Sequence, residues 1–121
     1  MPQVTLYGLE NCDTCRKARN WLKRFEVAHD FIDYRAQRIP AETLKAWAAK
    51  LGGWDKLVNR ASTTWRTLPD SRKAPGSDPE WTLLIKEYPA LVKRPVLVTD
   101  DGAVSVGFTD NGFKQKFGGK P

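Results

Sequence analysis

The sequence predicts an α/β domain with a four-stranded mixed sheet, in which a βαβ half and a ββα half are separated by an insertion of helices. Three observations predict it. Residues 3–34 read as strand, helix, strand, a βαβ unit whose strands run parallel and whose crossover is right-handed. Residues 40–90 hold apolar positions at helical spacing, punctuated by Gly and Pro. Residues 96–117 read as two strands joined by an acidic Gly-containing turn, followed by a helix.

Gln3 to Tyr7 alternates polar and apolar residues, with β-branched Val4 and Thr5, as a half-buried strand does. From about Asp13 to Phe25, Ala18, Trp21, Leu22 and Phe25 share one helical face, and Arg16, Lys17, Arg19, Asn20, Lys23 and Arg24 fall off it. Ala28 to Tyr34 returns to a strand, with Phe31 and Ile32 partly buried. Pro40 then opens a helix in its first turn, where a missing N–H costs nothing; Leu44, Trp47, Ala48 and Leu51 form its buried stripe and Gly52-Gly53 stops it. Trp54 to Val58 is a helical turn, Ser62 or Thr63 caps a brief helix, and Leu68 to Ser77, with Pro69, Pro75 and Gly76, is expected to be an exposed loop. Asp78 is expected to cap the next helix, with Pro79 at its first position and Trp81, Leu84, Ile85 and Tyr88 facing inward as far as the stop at Pro89. Val96-Leu97-Val98 suits a buried strand, Asp100-Asp101-Gly102 a hairpin turn, and Ala103 to Val106 its antiparallel return. Thr109 or Asp110 caps a last helix through Phe113 to Phe117, and Gly118-Gly119-Lys120-Pro121 is read as a flexible tail.

The order βαβ…ββα is the layout of a thioredoxin-like fold with helices inserted between its halves. The expectation is one domain over residues 1–117, the insertion at about 40–90, and the tail at 118–121. A 40% hydrophobic content with five Trp and five Phe excludes a disordered chain. No apolar run approaches the roughly 18–20 residues of a membrane helix, so no membrane association is expected. Met1-Pro2-Gln3 enters a strand pattern without the basic and apolar regions of a secretion signal, from which a cytoplasmic location is expected. The formal charge of +6 suits phosphates, acidic peptides or acidic proteins as partners; no direct contact with nucleic acid is expected.

Cys12 and Cys15 are the two cysteines of the chain, spaced C-x-x-C. In a reducing compartment such a pair is a redox or metal motif rather than a staple. Metal is the poorer reading: zinc wants four ligands, and the single histidine, His29, supplies no paired spacing and is read as a strand-surface or hydrogen-bond-satisfied residue without a role. At a helix start, unpaired N–H groups and the positive end of the helix dipole favour the Cys12 thiolate, which makes Cys12 the nucleophile. Cys15, in the first helical turn, is within reach of a mixed disulfide at Cys12. Arg16 and Lys17 add positive charge nearby and Asp13 subtracts some.

The motifs Y-G-L-E-N-C-D-T-C-R-K-A at 7–18, N-R-A-S-T-T-W-R-T-L at 59–68, L-V-K-R-P-V-L-V at 91–98 and V-G-F at 106–108 resemble the arsenate-reductase-like (ArsC/Spx/YffB) family, its YffB subgroup above all, over nearly the whole chain. The resemblance implies a thioredoxin-like domain with a helical insertion, as the element order does. It implies Cys12 as nucleophile, and Arg94 and Arg60 as holders of a substrate anion, with Arg66 the alternative to Arg60. It also implies a cis bond before Pro95 that sets a backbone edge beside the sulfur and Arg94 toward Cys12. Asn11 is read either as orienting the loop by a hydrogen bond or as capping the helix. Where the family's arsenate reductases carry a further arginine after the last strand, this chain has Gly107-Phe108. Each charge-assisted donor lost to a multiply charged anion costs on the order of 1.5–3 kcal/mol, so efficient arsenate reduction is not expected.

The expected activity is that of a monomeric thiol-disulfide reductase, with glutathione or a small thiol or disulfide as partner, glutathione as co-substrate and no metal. Cys12, Cys15 and Arg94 are the expected catalytic residues, and Asn11, Arg60, Arg94 and Pro95 the expected substrate-binding ones. The alternative is an Spx-like redox-sensing transcriptional regulator that binds RNA polymerase and uses the C-x-x-C as a switch. A third possibility is a small binding domain with an inert C-x-x-C, for which a Cys12 pKa near the ordinary value of about 8.5 would speak.

Overall fold

Val4, Leu6 and Gly8 are buried while Thr5 and Tyr7 are half-exposed, and this alternation makes Val4–Gly8 a two-faced strand, β1. The computed structural model describes residues 4–99 and 101–117. Gln3, Asp100 and the tail at 118–121 lie outside the described residues. β1 pairs in parallel with β2 (His29–Asp33) and antiparallel with β3 (Val96–Thr99), and β3 pairs antiparallel with β4 (Val104–Val106), giving the mixed order β2-β1-β3-β4. In this register Leu6 lies between Phe31 and Leu97, one apolar rung across three strands.

The chain divides into two compact units, one made of the residues up to Asp33 and from Arg94 onward, the other of Tyr34–Lys93. In the first, helix α1 (Asp13–Arg24) buries Ala18, Trp21 and Leu22 against Val4, Leu6, Leu97 and Phe113. Phe113 comes from the last helix of the chain, Asp110–Lys116, and meets the Trp21 ring edge-on at 5.4 Å between centroids. Such pairs are worth about 0.5–1.5 kcal/mol beyond the area they bury. α1 ends at Phe25; Glu26 adopts φ +57°, and Val27 N–H donates to the Leu22 carbonyl at 2.8 Å, turning the chain into β2. His29 Nδ1 sits 2.8 Å from the Val27 carbonyl, a local bond that accounts for it.

The second unit holds α2 (Ala41–Leu51), α3 (Trp54–Leu57), α4 (Thr63–Arg66) and α5 (Asp78–Glu87), so that the last helix, Asp110–Lys116, is α6. Pro40 sits at the N-cap of α2 with an extended ψ of 148°, one residue before the helical turn where it was expected. Gly52, at φ +98°, closes α2 in the left-handed conformation that glycine adopts without cost. The expected loop at 68–77 is partly ordered: Leu68 is buried, Asp70–Arg72 forms a 3-10 turn, and Arg72 pairs with Glu87 on α5. No described helix is long and apolar enough to cross a membrane.

The cap of α5 differs from the expected Asp78, and the cap of α6 is one of the two residues expected for it. Ser77, not Asp78, caps α5 by accepting from the Glu80 N–H, and Thr109, the first of the two residues considered, caps α6 by accepting from the Gly112 N–H at 2.9 Å. The aspartates one residue later accept indole N–H groups instead: Trp54 donates to Asp78 at 2.7 Å and Trp21 to Asp110 at 2.6 Å. A hydroxyl satisfies a helix end as well as a carboxylate does, which leaves each aspartate to accept an indole N–H. We expect Thr109→Ala to lower stability by about 1 kcal/mol, read as a lower urea midpoint at unchanged m.

Candidate functional site

The loop after β1 is pinned at two points before it reaches the helix. Glu10 N–H donates to Asp33 Oδ2 at 3.1 Å at the end of β2, and Cys12 N–H donates to the Leu9 carbonyl at 3.1 Å, closing a turn. Cys12 is therefore the N-cap of α1, with φ −90° and ψ 125°, and its carbonyl accepts from Arg16 N–H at 3.0 Å. Asn11 is exposed one position ahead and does not hold the cap. Cys12 is half-buried, and Cys15, three residues into the helix, is fully buried; both thiols are free.

The two thiols are driven apart. Burial pushes Cys12 up, but the Cys15 backbone N–H, the Cys15 thiol and the Arg94 guanidinium all favour the Cys12 thiolate, and the net shift is downward. The side chain forms no regular cap hydrogen bond, so the helix end acts on the sulfur through the nearby N–H rather than through an ideal cap. Burial pushes Cys15 up to about 11, with a part from the hydrogen bond and charge of Cys12. The Leu9 backbone and the charge of Arg94 offset some of this. The shifts make Cys12 the thiol that ionises first and Cys15 the one that keeps its proton, at a helix start with Arg94 acting on both.

Arg94 is the cation that acts on the sulfur; Arg16 is instead taken by Asp13 in a solvent-exposed pair at 2.9 Å. The Arg94–Pro95 bond is cis, Pro95 is buried, and its carbonyl accepts from Gly107 N–H at 2.8 Å. Gly107 has φ +84°, a conformation in which any side chain is strained, and Phe108 packs edge-on against Phe113 with centroids 4.7 Å apart. The segment that would carry a third arginine is thus occupied by a left-handed glycine and a core aromatic.

Gly8 is a member of the site that pattern reading passed over. A Cβ at Gly8 would stand 2.4 Å from Cys15 Sγ, closer than side-chain atoms approach one another. Its signal was in view, a glycine closing a strand just ahead of a C-x-x-C, but only the packing says what the missing side chain makes room for.

Arg60 and Arg66 belong to the second unit. There Trp54, Trp81 and Trp65 stack in a ladder, with ring centroids 5.9 and 6.1 Å apart, and the Arg60 guanidinium lies over Trp65 and Trp81 at 5.5 and 5.9 Å. Arg60 makes no hydrogen bond among the described residues, whereas Arg66 Nη2 donates to the Ala61 carbonyl at 2.9 Å. The structure thus brings together Cys12, Cys15 and Arg94, and places Arg60 on an aromatic support of its own unit.

The ArsC family model matches residues 7–115. A solved structure of a YffB protein is similar, with a TM-score of 0.82 and 40% identity, covering 93% of this chain and 96% of that one. An uncharacterized protein of Haemophilus influenzae is 35% identical over 114 residues, covering 94% of this chain and 98% of its own. The global transcriptional regulator Spx of Enterococcus faecalis is 28% identical over 114 residues, covering 93% of this chain and 84% of its own.

Proposed function

The chain belongs to the ArsC family, and from that premise we propose that it is a glutathione-dependent thiol-disulfide reductase with Cys12 as its nucleophile. The observation that carries the reading is the depressed Cys12 thiol at the start of α1, beside Arg94 and above a protonated Cys15. The Cys12 thiolate attacks one sulfur of a disulfide; the S–S bond breaks, and the departing thiolate takes a proton from water. The mixed disulfide removes the negative charge of Cys12 and with it part of what holds Cys15 protonated. Cys15 then loses its proton and attacks Cys12 Sγ, releasing the second thiol and leaving a Cys12–Cys15 disulfide. Two glutathione thiols reduce that bond and leave as glutathione disulfide, so the two electrons delivered to the substrate come from glutathione.

Glutathione carries two carboxylates, and the guanidinium of Arg94 beside Cys12 suits one of them. Intact-mass analysis after exposure to glutathione disulfide tests the scheme. A stable glutathione adduct is expected on Cys15→Ser and none on Cys12→Ser; an unmodified Cys15→Ser protein would end the reading. Arsenate is the poorer substrate, because Gly107 and Phe108 offer no third guanidinium to a multiply charged oxyanion.

The Spx likeness favours one second reading, in which the same pair is a switch and the protein a transcriptional regulator that binds RNA polymerase. Capture of polymerase subunits from a lysate under oxidising and under reducing conditions separates the two. Redox-dependent capture supports the switch, and its absence together with glutathione turnover supports the reductase.

A further inference from the structure

The second unit carries a feature that the proposed chemistry of Cys12 does not use. A cavity of about 500 Å³ opens there, floored by the buried side chains of Leu44, Ile85 and Val92 and flanked by Leu83, which is 54% exposed. Its lining is mostly apolar, and it holds two exposed cations, Arg38 and Lys86, and no acidic side chain. Neither cation forms an ion pair among the described residues. A volume in the range of small-molecule sites, apolar walls and a pair of uncompensated positive charges define a ligand by their chemistry.

We propose that this cavity binds an amphiphilic monoanion, a medium-chain carboxylate whose hydrocarbon lies on Leu44, Ile85 and Val92 and whose carboxylate meets Arg38 and Lys86. Charge complementarity selects the occupant. A neutral hydrocarbon leaves both cations without a counter-charge, and a polyanion has no use for the apolar floor, whereas one carboxylate on an alkyl chain satisfies both parts. The exposed Leu83 extends the apolar wall to the opening, where the chain of a ligand enters.

Decanoate and decanol, titrated calorimetrically into the full chain below their aggregation concentrations, test the proposal. Decanoate should bind one to one, about tenfold or more tightly than decanol. Arg38→Gln/Lys86→Gln should abolish that preference while leaving decanol binding unchanged, and Leu83→Glu should weaken decanoate. All three positions are exposed, so the variants keep the fold, checked by circular dichroism. Binding should be intact in Cys12→Ser, since no cysteine lines the cavity. The proposal is overturned if decanoate shows no saturable binding, if decanol binds as tightly, or if the double glutamine variant keeps the preference. It is equally overturned if an acidic peptide binds wild type through Arg38 and Lys86 and decanoate does not displace it.

Discussion

Arg94→Ala is expected to raise the pH midpoint of Cys12 alkylation and to slow alkylation at neutral pH by about tenfold. The direction follows from the site: the guanidinium both hydrogen-bonds the sulfur and acts on it through charge, and each contribution favours the thiolate. Charge-assisted hydrogen bonds are worth about 1.5–3 kcal/mol in partly buried places, which sets the order of the rate change. The helix end and the Cys15 thiol remain in the variant, so the midpoint should stay below that of Arg94→Ala/Cys15→Ser. A purely structural role for Arg94 would slow the reaction at every pH. The electrostatic role predicts a crossing instead: above the new midpoint the variant should react somewhat faster, because a thiolate of higher pKa is the better nucleophile. An unmoved midpoint would remove Arg94 from the site.

The same shifts give stability a pH dependence of known sign. Between the depressed Cys12 value and about 8.5, the unfolded chain binds the extra proton, so stability rises with pH across that window and is lost as pH falls through it. Cys15 works in the opposite sense, since the folded chain keeps its proton up to about 11 and stability falls as pH climbs from about 8.5. Arg94→Ala should flatten the rise and carry the fall to higher pH, because the Arg94 charge lowers both thiols.

How much of this was legible beforehand differs by kind of interaction. The strands and helices were, because Ala18, Trp21 and Leu22 on α1 and the alternation in β1 are local patterns with the periods of the elements they form. The placement of the cysteine pair at the start of α1 was legible too, since a C-x-x-C falls where a strand pattern gives way to a helical one. The caps of α5 and α6 were not fully legible: Ser77 and Asp78, or Thr109 and Asp110, are equally good caps in isolation. What decides is an indole N–H from Trp54 in one case and from Trp21 in the other, the latter 89 residues away in the chain. That Arg94 acts on Cys12 was legible through the family resemblance alone; local spacing offers Arg16 and Lys17 first, and Arg16 is drawn off by Asp13. Local periodicity announces elements; partners distant in the chain decide which of two suitable side chains does a job.

Gly8→Ala carries the largest effect expected of so small a change. Gly8 lies in β1 with no positive φ, so conformational freedom does not explain it; space does. The added methyl would stand 2.4 Å from Cys15 Sγ and 3.3 Å from its Cβ. Cys15 is fully buried on α1, whose next turns are fixed by Ala18, Trp21 and Leu22 in the core, so the sulfur cannot simply swing away. Overpacking of this kind costs about 1–3 kcal/mol, more than the roughly 0.4–1 kcal/mol that replacing glycine gains by restricting the unfolded chain. A lower urea midpoint is therefore expected. Displacing Cys15 also disturbs its contact with Cys12, so the alkylation midpoint of Cys12 should rise with the loss of stability. Cys15→Ala removes the sulfur that the new methyl strikes, and Gly8→Ala/Cys15→Ala should be more stable than the sum of the single changes predicts. Additive single changes would mean that the glycine serves something other than the room its neighbour's sulfur needs.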